Sequence, residues 1–410
     1  MLEGCVPWPE DVAALYRREG YWRGQPIGDL LEESCARHAD KVALVCGTQR
    51  MTYAQLAEES AALAGGLLNR GIGPLDRVVV QLPNVPEFVV VVFALLRIGA
   101  IPVMALPAHR KNELTHLCTH SQAVALVIPD EVKGYDYRAL AREVLAEAPT
   151  VKHVLVCGEP AEFTSVTSLY TPGRELPTVD PSEPALFLLS GGTTGLPKLI
   201  PRTHDDYAYN MLATAEALRF GEDGVYLAVN PVGHNSALGC PGVLGTLLVG
   251  GTAVLTSSVR PGEVFDLLER ERVTLTTLVP PVVRLLVDAA RKTGARFPNL
   301  LLQVGSSKLD PARAAEVRSN LGASLSQWFG VGEGLLTYTR LDDPEEVIIN
   351  TEGRPLAPHD EILVVDEDGR PVPDGTEGEL LVRGPYTIRG YYRAEEQNRR
   401  SFTADGFFHT

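Results

Sequence analysis

The sequence is short of several things at once, and each shortage removes a class of function. Its longest apolar run, FVVVVFALL from Phe88 to Leu96, spans nine residues, about half of what a helix needs to cross a bilayer. The first residues, MLEGCVPWPED, lack the basic and apolar regions of a signal peptide. Cysteine is sparse: Cys5, Cys35, Cys46, Cys118, Cys157 and Cys240 form neither a CxxC pair nor a zinc-ligand spacing. Scattered thiols suit a large intracellular chain rather than a disulfide framework. Positive charge is also short, with 37 Lys and Arg against 52 Asp and Glu and a formal net charge of −15. That balance argues against nucleic acid, whose binding rests on neutralising phosphates. Internal repeats, long low-complexity tracts and charge blocks are absent. These readings predict a cytoplasmic protein with neither membrane nor nucleic acid as partner.

What is present is a globular composition, 45% hydrophobic and 22% charged over 410 residues, too long for one ordinary core. From about Thr52 to Trp328, β-branched runs alternate with helical spacings. RVVVQL (77–82), AVALVI (123–128), VYLAVN (225–230), TAVLTS (252–257), VTLTTLVPP (273–281) and LLLQVG (300–305) read as buried strands. TYAQLAEESAALAGGLLNRG opens with a capping-box pattern, and PGEVFDLLERER and PPVVRLLVDAARK also have helical periodicity. Such alternation predicts an α/β fold of parallel sheets covered by helices. After Gly334 the texture changes to strands around turns such as DEDG and PDGTEG. The expected units are an α/β subdomain over 1–180, a second over 181–334 and a β-rich subdomain over 335–410.

One stretch carries the chemistry. SGGTTGLPKLIPRTH, residues 190–204, follows the apolar run ALFLL. Glycines admit a ligand close to the backbone, and hydroxyls, amides and an ammonium together suit a chain of phosphates. Pro197 precedes Lys198 and Leu199 follows it, so the helix-opening hydroxyl of a P-loop is missing. A GxGxxG after a strand is missing too, which removes the dinucleotide-binding fingerprint. Glycine and threonine richness alone leaves an ordinary flexible loop as an equal alternative.

The loop does not stand alone. LSGGTTGLPKLIPRTH resembles the signature loop of the adenylate-forming enzymes, the superfamily of acyl-CoA synthetases, luciferases and peptide-synthetase adenylation domains. TYAQL (52–56), GHN (233–235), QWFGVGEG (327–334), NTEGRP (350–355), GELLVRGPYTIRGYY (378–392) and TADGFFHT (403–410) match in the same order. KLIPRTHDDY, TYTRLDDPEE and RGPYTIRGYYRAEE are most similar to the aryl-acid ligases that act on salicylate or 2,3-dihydroxybenzoate. The resemblance implies two parallel-type sheets layered with helices (αβαβα) plus an antiparallel barrel-like subdomain. It implies ATP and Mg²⁺ as cofactors, an aryl acid as substrate, and a carrier-protein phosphopantetheine or CoA as acceptor. It also implies a mobile C-terminal domain, bearing an adenylation lysine, that the sequence to Thr410 does not include, so acid binding is expected with impaired catalysis.

Residue by residue, the resemblance assigns the β- and γ-phosphates to Ser190, Gly191, Gly192, Thr193, Thr194, Gly195 and Lys198. Magnesium falls to Glu333 in GVGEG. Adenine falls to Gly305, Ser306, Ser307, Phe329 and Gly330. The aryl-acid pocket falls to His234, Asn235, Ser236, Cys240, Gly305, Val331 and Leu336, with His234, Lys198 and Glu333 as the catalytic set. Where amino-acid activators carry an aspartate, Asn235 is neutral and gives no ion-pair partner to an amine. Cys240 and Leu336 stand where dihydroxybenzoate ligases tend to have serine and valine, which favours salicylate. Ser236 replaces the usual aromatic and leaves room for ring-substituted acids. A binding protein without turnover, a synthetase for another acid and a phosphotransferase releasing ADP are the alternatives. His116 and His120, spaced i, i+4 around Cys118, lack an HExxH pattern and read as structural.

Overall fold

The alternation of strand and helix signals is realised almost segment for segment. The computed structural model describes residues 1–191 and 195–410. RVVVQL supplies the strand Arg77–Val80 and AVALVI the strand Ala125–Pro129. The capping box forms as its chemistry requires. Thr52 Oγ1 accepts the Gln55 N–H at 3.2 Å, Gln55 Oε1 accepts the Thr52 N–H at 2.8 Å, and the helix Tyr53–Asn69 follows.

Among the described residues, seven strands form one sheet in the order Leu199–Thr203, Pro184–Leu189, Ile101–Met104, Arg77–Val80, Ala125–Pro129, His153–Cys157, Thr164–Ser165. Only its first pair is antiparallel. Nine strands form a second sheet. It runs from Arg354–Pro355 through Leu336–Tyr338, Ser324–Gly330, Leu301–Val304, Leu275–Leu278, Val225–Ala228, Thr252–Leu255 and Val42–Cys46 to Gln49–Thr52. This sheet is parallel in its interior and antiparallel at both ends. A third, antiparallel sheet joins Glu361–Val365, Glu379–Arg383 and Phe408–His409.

Alternate side chains on a strand face opposite ways, and the core clusters follow that rule. Val78 and Val80 share one central core with Leu44, Ala228 and Leu255 of the other sheet. Val79 turns outward with Leu126 onto helices Lys111–Ser121 and Tyr137–Leu145. Leu227 and Val254 turn outward onto Pro261–Arg270 and Pro280–Thr293. The result is five layers, helix and sheet alternating, as in the adenylate-forming fold. The long apolar run lies in the middle layer, where ten of the twelve residues of helix Pro86–Arg97 are buried. Among the described residues, no helix is long and apolar enough to cross a membrane.

The sheets do not respect the boundaries expected at 180 and 334. Val42–Cys46 pairs with Thr252–Leu255 in the nine-stranded sheet, while Pro184–Leu189 and Leu199–Thr203 complete the seven-stranded one. Leu336–Tyr338 and Arg354–Pro355 extend the larger sheet beyond 334. The physical reason is that sheet edges carry unpaired backbone groups, and strands from distant sequence cover them.

A buried ion pair joins these parts. Arg202, with its side chain fully buried, donates from Nε to Asp206 Oδ1 at 2.6 Å and from Nη1 to the Gly332 carbonyl at 3.2 Å. Asp206 Oδ2 also accepts from Thr203 N and Oγ1, both at 2.7 Å, capping helix His204–Ala217. Removing one partner of a buried pair leaves an uncompensated charge at a cost of about 3–5 kcal/mol. Asp206→Ala should therefore lower the unfolding free energy by an amount of that order, read as a lower denaturant midpoint. The double change Arg202→Met with Asp206→Leu should recover much of the loss, and equal midpoints for the two variants would contradict this account.

Candidate active site

The functional residues gather where strands of both sheets end. Ile101–Met104, Pro184–Leu189, Val225–Ala228, Leu301–Val304 and Ser324–Gly330 all deliver their following residues to one cavity of ≈ 540 Å³. Ligands of open parallel sheets bind outside the carboxyl ends of the strands, and this cavity has that location.

The glycine-rich loop at its mouth is a hairpin connection rather than a helix start. It joins the antiparallel strands Pro184–Leu189 and Leu199–Thr203. Its two ends are tied, with Lys198 N donating to Ser190 Oγ at 3.0 Å and Ser190 N to the Lys198 carbonyl at 3.0 Å. Ser190 and Gly191 line the cavity. The remaining predicted phosphate ligands Gly192, Thr193 and Thr194 lie outside the described residues, and Gly195 is exposed.

Lys198 and Glu333 meet through an aromatic ring that sequence reasoning passed over. The Lys198 ammonium stands 4.7 Å from the ring centre of Tyr391, and the Tyr391 hydroxyl donates to Glu333 Oε1 at 2.7 Å. Burial, and then the neighbouring Glu333 carboxylate, raise the Tyr391 phenol, so the phenol keeps its proton and acts as donor. Glu333 is only 7% exposed and lines the cavity. Among the described residues its Oε2 makes no hydrogen bond, and no group of three or more His, Cys, Asp or Glu could hold a metal alone. A cation here would take one carboxylate oxygen and draw its other ligands from phosphates and water, as Mg²⁺ does.

The opposite end of the cavity is neutral. His234 caps the short helix Asn235–Gly239 by accepting the Ser236 N–H at Nδ1, 3.3 Å away, and the Ser236 hydroxyl stands 2.9 Å from the same nitrogen. An Nδ1 that accepts a backbone proton is unprotonated, so the ring proton sits on Nε2. The ring is reached by water at the rim and enclosed by protein elsewhere, and this desolvation lowers its pKa below the ordinary 6.5. Asn235 lines the cavity, and its Oδ1 accepts from the Tyr207 hydroxyl at 2.9 Å.

Ser306, Gly330 and Val331 also line the cavity, whereas several predicted wall residues sit behind it. Gly305 is a spacer: a Cβ there would stand 2.3 Å from the Trp328 indole, so the glycine lets that ring form the wall. Leu336 packs behind Gly330, where a Cβ would come within 2.4 Å of it. Phe329 is half-buried against the main core, and Ser307 is exposed. Cys240 is fully buried, and burial pushes its thiol up to about 12, which suits packing and not nucleophilic attack. Reasoning from sequence missed Met104, Leu106, His109, Leu188 and Trp328, all lining residues. Trp328 lay inside the quoted QWFGVGEG, and its place at the end of a strand was the available signal.

A profile described as "AMP-binding enzyme" matches residues 31–392. The chain is 62% identical along its full length to Triostin synthetase I of Streptomyces triostinicus, covering 77% of that protein. It is 48% identical, again along its full length, to the 2,3-dihydroxybenzoate-AMP ligase of Bacillus subtilis, covering 76% of it. Over 99% of its length it is 48% identical to the salicyl-AMP ligase / salicyl-S-ArCP synthetase of Mycobacterium tuberculosis, covering 74% of it. Among solved structures, the Mycobacterium smegmatis MbtA apo structure superposes with a TM-score of 0.94 at 48% identity, spanning all of this chain and 76% of that one.

The His234 geometry predicts a measurable proton position. Long-range nitrogen–proton spectra should show an Nε2–H tautomer whose titration midpoint lies below 6.5, leaving the ring neutral at pH 7 and above. A midpoint above 6.5, or an Nδ1–H tautomer, would contradict the assignment.

Proposed function

The chain belongs to the family of AMP-binding enzymes, and we propose that it is an aryl-acid–AMP ligase. A carboxylate oxygen of the acid attacks the α-phosphorus of ATP, the bond from that phosphorus to the β-phosphate's bridging oxygen breaks, and pyrophosphate leaves. The acyl adenylate then gives its acyl group to a thiol, a carrier-protein phosphopantetheine or CoA, with AMP as leaving group. The observation that carries the reading is one cavity with a phosphate-type mouth at Ser190 and Glu333 and a neutral amide–imidazole end at Asn235 and His234.

In this reading each end handles one reactant. Ser190, the glycines and Lys198 bind the β- and γ-phosphates, and Lys198 neutralises charge as pyrophosphate departs. Magnesium, held by Glu333, would screen the triphosphate from the incoming carboxylate. Tyr391 holds the glutamate and faces the lysine with its ring, so the two oppositely charged groups stay apart instead of pairing with each other. Ser306 and Gly330 give the adenine a flat, small-residue wall. His234 donates its Nε2 proton to the carboxylate without adding a charge, and so leaves the attacking oxygen nucleophilic. Holding both reactants in line is worth roughly 7–11 kcal/mol of barrier.

For the acid itself, we favour salicylate over 2,3-dihydroxybenzoate. Cys240, packed behind the cavity wall, carries no hydroxyl at the position where dihydroxybenzoate ligases tend to have a serine, so a 3-hydroxyl gains no partner from it. Burying a hydroxyl without a partner costs about 1–3 kcal/mol. Calorimetry and pyrophosphate exchange with a panel of benzoates should rank salicylate ahead by about tenfold, in line with that cost. Equal or reversed ranking would overturn the preference, and failure of every aryl acid to bind would overturn the reading.

A second prediction concerns Tyr391. Tyr391→Phe should weaken ATP binding in the presence of Mg²⁺ several-fold while leaving salicylate affinity unchanged, both read by calorimetry. A parallel loss of both affinities would mean that the ring merely supports the fold.

A further inference from the structure

We propose that Tyr207 sets the hydrogen-bond polarity of the acid pocket, so that the site selects acids bearing an acceptor, and not a donor, beside the carboxyl group. The inference rests on the aryl-acid reading above and deepens it. Tyr207 sits on helix His204–Ala217 with its side chain fully buried. Its ring lies 4.9 Å beneath the Arg202 guanidinium carbon, which holds it in place. Its hydroxyl reaches the cavity wall because residue 239 is glycine: a Cβ there would stand 2.3 Å from the phenol oxygen.

The polarity follows from counting protons. A buried O–H must donate, and among the described residues the acceptor it meets is Asn235 Oδ1, 2.9 Å away. Burial raises the phenol well above 10, so the proton is always present. An amide whose oxygen is engaged on one side offers its NH₂ group on the other. Among the described residues, Asn235 Nδ2 has no hydrogen-bond partner, and Asn235 lines the cavity. The pocket therefore presents two N–H donors and no amide acceptor.

Aryl acids divide cleanly on this point. In salicylate the hydroxyl proton is directed to its own carboxylate, so the phenolic oxygen faces outward as an acceptor. A ring nitrogen beside the carboxyl, as in pyridine-2-carboxylate, is likewise an acceptor. In anthranilate one amino proton goes to the carboxylate and the other points outward as a donor, against the Asn235 donors. A site built around hydrogen bonding rejects a ligand that leaves its polar groups unpaired. Size and charge are nearly the same for salicylate and anthranilate, so the discrimination isolates polarity.

Calorimetry with salicylate, pyridine-2-carboxylate and anthranilate, each with and without MgATP, tests this on the chain as it stands. The wild type should bind the first two and prefer salicylate to anthranilate by tenfold or more. Tyr207→Phe frees the Asn235 amide to turn over, and the salicylate-to-anthranilate ratio should fall about tenfold, mainly through tighter anthranilate binding. In an Asn235→Ala background the same Tyr207→Phe change should leave the ratio where it is, a readout that a merely structural role for the phenol would not reproduce. An unchanged ratio in Tyr207→Phe, with salicylate still bound, overturns the role of Tyr207 alone. Failure of all three acids on the wild type overturns the aryl-acid reading and this inference with it.

Discussion

A single buried guanidinium holds the two halves of the candidate cleft in register. Arg202 lies on the strand that closes the glycine-rich hairpin, bonds Asp206 at the start of the next helix, and reaches the Gly332 carbonyl beside Glu333. It also contacts Asn210 Oδ1 at 3.4 Å, and Asn210 Nδ2 donates to the Gly239 carbonyl at 2.7 Å. The glycine-rich hairpin, the loop that carries Glu333 and the turn at Gly239 are thus tied to one charge. That charge is tolerable in the interior only because its donors are met, so the geometry of the cleft and the stability of the core are the same problem.

The two ends of the cavity solve opposite electrostatic problems. Near one end, Lys198 and Glu333 stand close without pairing, and Tyr391 engages the ammonium with its ring and the carboxylate with its hydroxyl. At the other end, full charges are avoided: His234 is neutral and Asn235 is an amide. A cationic site there would grip the carboxylate more firmly but would also blunt its attack on phosphorus. In the reaction proposed above, neutral donors would orient the acid and leave its charge for the attack.

Much of this was legible in the residues. Short β-branched runs and helical spacings gave the strands and helices, and the capping box at Thr52 formed as written. The ordered motifs brought Ser190, His234, Asn235, Ser236, Ser306, Val331 and Glu333 to one cavity. What was not legible was lateral. Nothing local tells that Val42–Cys46 joins Thr252–Leu255, because strand neighbours are chosen by packing and edge cover rather than by propensity. The same limit hid the walls. Gly305 and Leu336 were placed in the pocket by motif, but Trp328 forms the wall over the first and Gly330 lies over the second. Tyr207 and Tyr391 matter through partners 28 and 58 residues away along the chain, a distance no spacing argument spans.

The pairing of Val42–Cys46 with Thr252–Leu255 has a consequence for biogenesis. As the polypeptide leaves the ribosome, that early strand must wait for its neighbour through some two hundred residues of further synthesis, on the order of ten seconds or more at typical elongation rates. Throughout that interval the edge that Thr252–Leu255 will take is unpaired, although Gln49–Thr52 already pairs with the other edge. The nascent chain therefore carries an open strand edge near its beginning, exposed to mispairing and chaperone capture.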